Sequence, residues 1–186
     1  MSKPTAADWT VHVLEYARSR NQPLASLIQG AVDRVAIDPI RRIARIEGRD
    51  LTARLIERTG FAAYVIGGYA LVGARYAIPD IGLAAFGEIS AGIRDTIAAS
   101  SLPVMVDTDT GYGDVKNVTH TIRGYEAMGV SSIFIEDQIS PKRCGHMAGK
   151  SVIPADEMVR KIRAAVGARD SSDFYIVART DARAVY

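Results

Sequence analysis

Asp107-Thr108-Asp109 sets two carboxylates two residues apart, at the point where the apolar run Leu102 to Val106 gives out. In an extended chain, residues i and i+2 face the same way, so both acids reach one point. Glu136, following the next apolar run, adds a third hard oxygen donor. Such a set suits Mg²⁺, or Mn²⁺, holding on to several of its waters. The competing reading is that the aspartates cap a helix or solvate a loop. Lys142-Arg143-Cys144-Gly145-His146 is the second constellation. A thiol with two cations on one side and an imidazole on the other has its thiolate favoured, and Gly145 lets the backbone bend tightly there. One cysteine and one histidine two apart do not close a zinc site. That leaves a nucleophile or an acid–base thiol, set against a small buried hydrophobe. Arg179, after the last apolar run, is a candidate carboxylate clamp because its guanidinium fork pairs bidentately. An ion pair with Asp181 or another rim acid is its alternative. His12 and His120 lie on helical patterns and read as structural.

The elements that must position these groups are βα repeats. Short apolar runs at 62–66, 102–106, 131–135 and 173–177 read as strands, and 86–99, 117–128 and 154–168 read as helices, the second ending at Gly129. Gly67-Gly68 reads as a turn and 79–83 as a loop. Strands apolar throughout, each followed by a loop and a helix, predict a parallel sheet buried on both faces. A doubly wound sheet and a (β/α)₈ barrel both fit. The barrel is favoured because Asp107/Asp109, Glu136/Asp137 and Arg179/Asp181 deliver charge from several strand ends to one rim. Residues 1–54 read as an amphipathic helical segment, with Trp9, Val13, Tyr16, Leu24, Leu27, Ile28 and Val32 at helical spacing. Residues 55–186 read as the N-terminal part of the barrel. A helix is expected over 41–58, its arginines forming a solvated face. Neither G-x-G-x-x-G after a strand nor G-x-x-x-x-G-K-[ST] occurs, so a nucleotide reading has no local support.

The 186 residues are 48% hydrophobic and 24% charged, with 23 basic and 21 acidic side chains and a net charge of +2. That composition excludes global disorder, and the balanced charge argues against a nucleic-acid partner. A single cysteine excludes a disulfide framework and fits a reducing compartment. No apolar run reaches the roughly 18 residues of a membrane span, and the N-terminus lacks a signal-peptide core. The expectation is a soluble cytoplasmic protein.

VDTDTGYGD at 106–114, IEDQISPKRCGH at 135–146 and VARTDARAV at 177–185 together resemble the isocitrate lyase / phosphoenolpyruvate mutase superfamily. The likeness is greatest to the branch of short lyases that includes 2-methylisocitrate lyase, and IPDIGL at 78–83 is similar to a further family segment. The resemblance implies a Mg²⁺-dependent (β/α)₈ barrel acting on α-oxy or α-keto carboxylates, usually as a homotetramer with a swapped helix. It implies metal ligation by Asp107 and Asp109, with Glu136 supporting through metal-bound water. Cys144 matches the acid–base cysteine, with Lys142, Gly145 and His146 in a mobile gating loop and Arg179 on a substrate carboxylate. Gly67, Gly68, Tyr69, Asp80, Arg143 and Gly145 complete the implied substrate-binding set, Asp80 near the metal's water shell. The implied activity is cleavage of 2-methylisocitrate or a related substituted malate to an α-keto acid and a dicarboxylate such as succinate. An oxaloacetate hydrolase, a carboxyphosphonoenolpyruvate mutase-like enzyme and an inactive assembly partner are the alternatives. Two local departures stand out: Gly67-Gly68-Tyr69 lies where relatives carry Ser-Gly-Gly, and 43–50 replaces an apolar first strand. A barrel of this type needs ~250 residues, so the expected fold is a barrel truncated after about five strands.

Overall fold

The computed structural model describes residues 51–186. Four apolar runs form strands: β1 Tyr64–Ile66, β2 Val104–Asp107, β3 Ser132–Glu136 and β4 Tyr175–Arg179. They pair in parallel, in sequence order β1-β2-β3-β4. Parallel neighbours need crossover connections, and helices supply them. After α1, Leu51–Arg58, these are α2 Gly68–Tyr76 and α3 Phe86–Ile97 between β1 and β2, α4 Val115–Met128 before β3, and α5 Ala155–Ala168 before β4. Val106 and Ile133 are register partners at 0% exposure, and Ile93, Tyr125 and Ala165 close over the sheet from the helices. Each buried Val or Ile contributes about 1.5–3 kcal/mol, so this layer anchors the strand ends.

Several expectations are corrected. The chain from Gly68 to Tyr76 is helical, not a turn, and Gly67 with its extended backbone is the N-cap. Paired glycines signal a turn locally, but here they let a helix start against the strand end. Helix α4 begins at Val115 rather than 117, because the Asp114 carboxylate accepts from the amides of Lys116 and Asn117. Its end at Gly129, φ 92°, is as expected. His120 is exposed and meets the Phe86 ring edge-on at 4.8 Å, a packing contact. The strands start one or two residues later than the apolar runs. β2, β3 and β4 also end one or two residues later, so Asp107, Glu136 and Arg179 are their last residues, not the first residues beyond them. Four strands occur among the described residues. The first-strand segment 43–50, the helical patterns before Leu51 and His12 lie outside them.

Candidate active site

Strand register brings the rim charges together. Glu136 pairs with Arg179 and Asp107 with Phe134. Since 134 and 136 share a face, Asp107, Glu136 and Arg179 project from one side of the sheet. Arg179 Nη1 lies 3.1 Å from Glu136 Oε2, and Nη2 lies 3.1 Å from Asp181 Oδ2. Its fork is therefore held by two rim acids, the alternative that the sequence left open.

Asp107 and Asp109 converge, but not through strand alternation. Asp109 has φ 49°, and its amide donates to Asp107 Oδ1 at 3.0 Å. The turn continues through Gly111 and Tyr112 at φ 85° and 61°, and the ladder persists beside it as Glu136 N donates to Asp109 O at 2.8 Å. A left-handed Asp is tolerated because its short side chain bonds locally. The Gly68 amide donates to Asp107 Oδ2 at 3.3 Å. A Cβ at Gly68 would lie 3.5–3.6 Å from Asp109 Oδ1, Asp107 Oδ2 and Asp80 Oδ1, so three carboxylates face one small cradle.

Lys142 enters this cradle from the loop after β3. Its Nζ lies 2.5 Å from Asp80 Oδ1 and 2.7 Å from Asp109 Oδ1, with the side chain 5% exposed. The lysine charge is thus committed to carboxylates and not to the neighbouring thiol, contrary to the reasoning from sequence proximity. Asp109 Oδ1 makes this ion pair but accepts no well-aligned hydrogen bond. Burial opposes the ammonium form of Lys142, yet Asp109 and Asp80 outweigh it and raise its affinity for the proton. Burial, reinforced by Asp107, pushes the Asp109 carboxyl up to about 7. Burial pushes Glu136 up to about 8, against the pull of Arg179, and burial likewise raises Asp107.

The donor set fits a hard divalent cation. Asp80, Asp107, Asp109, Glu136 and Asp181 face Lys142, Lys150 and Arg179, an excess of two negative charges when all are ionised. Among the described residues no three acidic, histidine or cysteine side chains form a ready-made ligand cage. Mg²⁺ needs no such cage, since it takes one or two carboxylates and keeps several waters. A pH dependence follows. Unfolded, these carboxyls lose their protons at around 4; folded, Asp109 holds its proton to about 7 and Glu136 to about 8. The folded state binds more protons across that window, so stability falls as pH rises through it. Without divalent cations Tm is expected to decline from pH 5 to 8.5, and Mg²⁺ to restore more of it at pH 8.5 than at pH 6. Thermal melts in EDTA and in Mg²⁺ check this, and a flat or rising metal-free profile contradicts it.

The loop carrying Cys144 closes at its base through an antiparallel bridge between Gln138 and Val152. Lys150 Nζ donates to Gly145 O at 2.8 Å and pairs with Asp181 at 3.3 Å. A Cβ at Gly145 would lie 2.6 Å from Arg179 Nη2, so a larger residue there requires the guanidinium, held by Glu136 and Asp181, to shift. Cys144 is half-buried, while the Arg143 and His146 side chains are exposed. Tyr69, on the first turn of α2, is 66% exposed, and no hydrogen bond or ion pair ties it to the cluster. Two polar residues in this assembly were not singled out from sequence, Lys150 and Gln138. Gln138 could have been found, because it stands two residues after Glu136 in the same alternation.

A parallel α/β layer whose carboxylates, lysine and arginine meet at the carboxyl ends of its strands has the architecture of part of a (β/α)₈ barrel. Residues 50–185 match the family model for phosphoenolpyruvate phosphomutase, and the chain belongs to that family, within the isocitrate lyase / phosphoenolpyruvate mutase superfamily. It is 42% identical to 2-methylisocitrate lyase of Shewanella oneidensis over 133 residues, covering 72% of this chain and 46% of that protein. The solved 2,3-dimethylmalate lyase superposes with a TM-score of 0.70 at 33% identity, covering 79% of this chain and 53% of that one. Phosphonopyruvate hydrolase, solved with oxalate and Mg²⁺, superposes with a TM-score of 0.64 at 32% identity, covering 73% and 46%. The chain spans about half the length of the curated relatives it matches.

Proposed function

We propose that residues 55–186 form part of the catalytic barrel of a Mg²⁺-dependent carbon–carbon lyase. The substrate would be 2-methylisocitrate or a related substituted malate, and the products an α-keto acid and a dicarboxylate such as succinate. One observation carries this reading: carboxylates from β2, β3 and the 77–85 loop converge beneath the same loop that presents Cys144. Lyases among the relatives support the reaction class. Asp107 and Asp109 would hold the metal, with Asp80 and Glu136 supporting it through bound water. Mn²⁺ would fit the same oxygens. When bound, the metal acts as a Lewis acid toward the substrate's oxygens.

The chain's own groups do the rest. Arg179 holds a substrate carboxylate by exchanging one of its present acid partners for it. Lys142, close to Asp80 and Asp109, keeps the carboxylates partly neutralised as the loop seats. The substrate's hydroxyl gives its proton to a rim carboxylate, and as the C–C bond breaks the electron pair left on that oxygen forms the keto group. The pair left on the departing carbon takes its proton from Cys144 Sγ. A single cysteine fits a reducing, cytoplasmic setting, and the family resemblance supports a homotetramer. No helix among the described residues is long and apolar enough to cross a membrane.

The test is α-keto acid release from 2-methylisocitrate, isocitrate, 2,3-dimethylmalate and oxaloacetate, with and without Mg²⁺. Metal-dependent release from one of the substituted malates or isocitrates is the expected result. Silence from folded, Mg²⁺-binding protein would overturn activity for these residues and favour the inactive assembly partner.

A further inference from the structure

Gln138 follows Glu136 by two residues and is 1% exposed, among the most buried polar side chains of the described residues. Nothing about its type marks it as chemical. Its amide nevertheless makes three hydrogen bonds: Nε2 donates to Glu136 Oε1 at 2.8 Å and to Arg143 O at 3.0 Å, and Oε1 accepts from Arg143 N at 3.1 Å. Toward Arg143 it behaves as a substitute peptide group, pairing with both backbone atoms of one residue as a strand neighbour does. Toward Glu136 it supplies the donor for one carboxylate oxygen, while Arg179 holds the other. The residue gripped by Gln138 lies between Lys142 and Cys144.

From this arrangement we infer that Gln138 is a positioning residue that makes the seating of the Cys144 loop and the orientation of Glu136 one event. Only an amide meets the demand. A carboxylate lacks both donors, and an apolar side chain leaves Arg143 N–H, Arg143 C=O and Glu136 Oε1 without these partners at once. Loss of the Gln138 amide therefore frees the loop at Arg143 and Glu136 at Oε1 together. The inference rests on the reading of Glu136 and Cys144 as site residues, but its test does not depend on turnover.

Cys144 is the chain's one cysteine, so the rate of its modification by a thiol reagent reports loop seating. In metal-free protein Gln138→Met is expected to speed that modification about tenfold, as lost hydrogen bonds free the loop. Mn²⁺ affinity, read by electron paramagnetic resonance, is expected to fall about tenfold in the same variant, the lower end of what outer-shell partners are worth. A merely local strut would change the thiol rate alone. A thiol rate within about twofold of wild type overturns the inference, and so does a faster thiol rate with unchanged Mn²⁺ affinity. If Gln138→Met fails to fold by circular dichroism, Gln138→Asn carries the same two readings, since it stays polar but is one methylene too short to reach both partners. Wild-type protein that binds no Mn²⁺ would defeat the metal-dependent reading itself, and with it the proposed link from the loop to Glu136.

Discussion

Replacing Cys144 with serine is expected to cut α-keto acid release by about 10²- to 10⁴-fold, the range a positioned general acid is worth, with Mg²⁺ binding essentially unchanged. The argument combines placement with chemistry. Cys144 follows directly the residue that Gln138 clamps and precedes the glycine that Lys150 holds. Its backbone is thus fixed on both sides while its side chain stays half-buried. A thiol gives up its proton far more readily than an alcohol, so serine keeps the shape and loses the function. Because Asp107 and Asp109 sit on a different loop, built from β2 and the left-handed turn after it, metal binding does not need the sulfur. Single-turnover assays on the responsive substrate, paired with calorimetric Mg²⁺ titration, separate the two effects. Turnover retained within a few-fold would move the proton donor elsewhere, and parallel loss of metal binding would make Cys144 structural.

The largest expected loss of stability is at Gly111. The residue has φ +85°, and a Cβ there would lie 2.6 Å from Val118 Cγ2 and 2.9 Å from Ile135 Cδ1. Val118 and Ile135 are each 1% exposed, so neither can move into solvent to make room. Overpacking a core of this kind costs about 1–3 kcal/mol, and left-handed backbone without glycine adds about 1–2 kcal/mol. Gly111→Ala is therefore expected to destabilise by about 2–5 kcal/mol, against a total of about 5–15 kcal/mol for a typical domain. For a chain of this length that corresponds to a drop in Tm of roughly 5–15 °C, readable by calorimetry or circular dichroism. The same turn carries Asp109, so metal affinity should fall with it. A change in Tm under about 1 °C would show that the turn relaxes around the methyl group, at far below the cost of overpacking.

Much of the site was legible before any fold was known, for reasons that are local. Asp107, Asp109, Glu136 and Arg179 each close an apolar run, and a buried parallel strand must end where charge begins. Lys142 to His146 stands out because a lone cysteine among cations and an imidazole is unusual chemistry at short range. Parallel βα order was legible for the same reason, since each apolar run is followed by a helical period. What stayed hidden depends on contacts distant in sequence. Paired glycines at 67–68 read as a turn, and only the neighbouring strand end reveals them as the start of α2, with one amide on Asp107. Lys142 lies two residues before Cys144 in sequence, yet its ammonium belongs to Asp80, 62 residues away.

The sequence by itself therefore determined the parallel βα order apart from α2, the carboxylate and thiol inventory, and the family, because apolar periodicity and short motifs are properties of neighbouring residues. Only the tertiary structure decided which charges neutralise which. The register of β3 on β4 puts Arg179 on Glu136, and the left-handed turn folds Asp109 onto Asp107. Gln138 ties a strand end to a loop because the chain doubles back between them. Pairing in a buried, low-dielectric rim follows distance in space, and that is set by packing rather than by sequence separation.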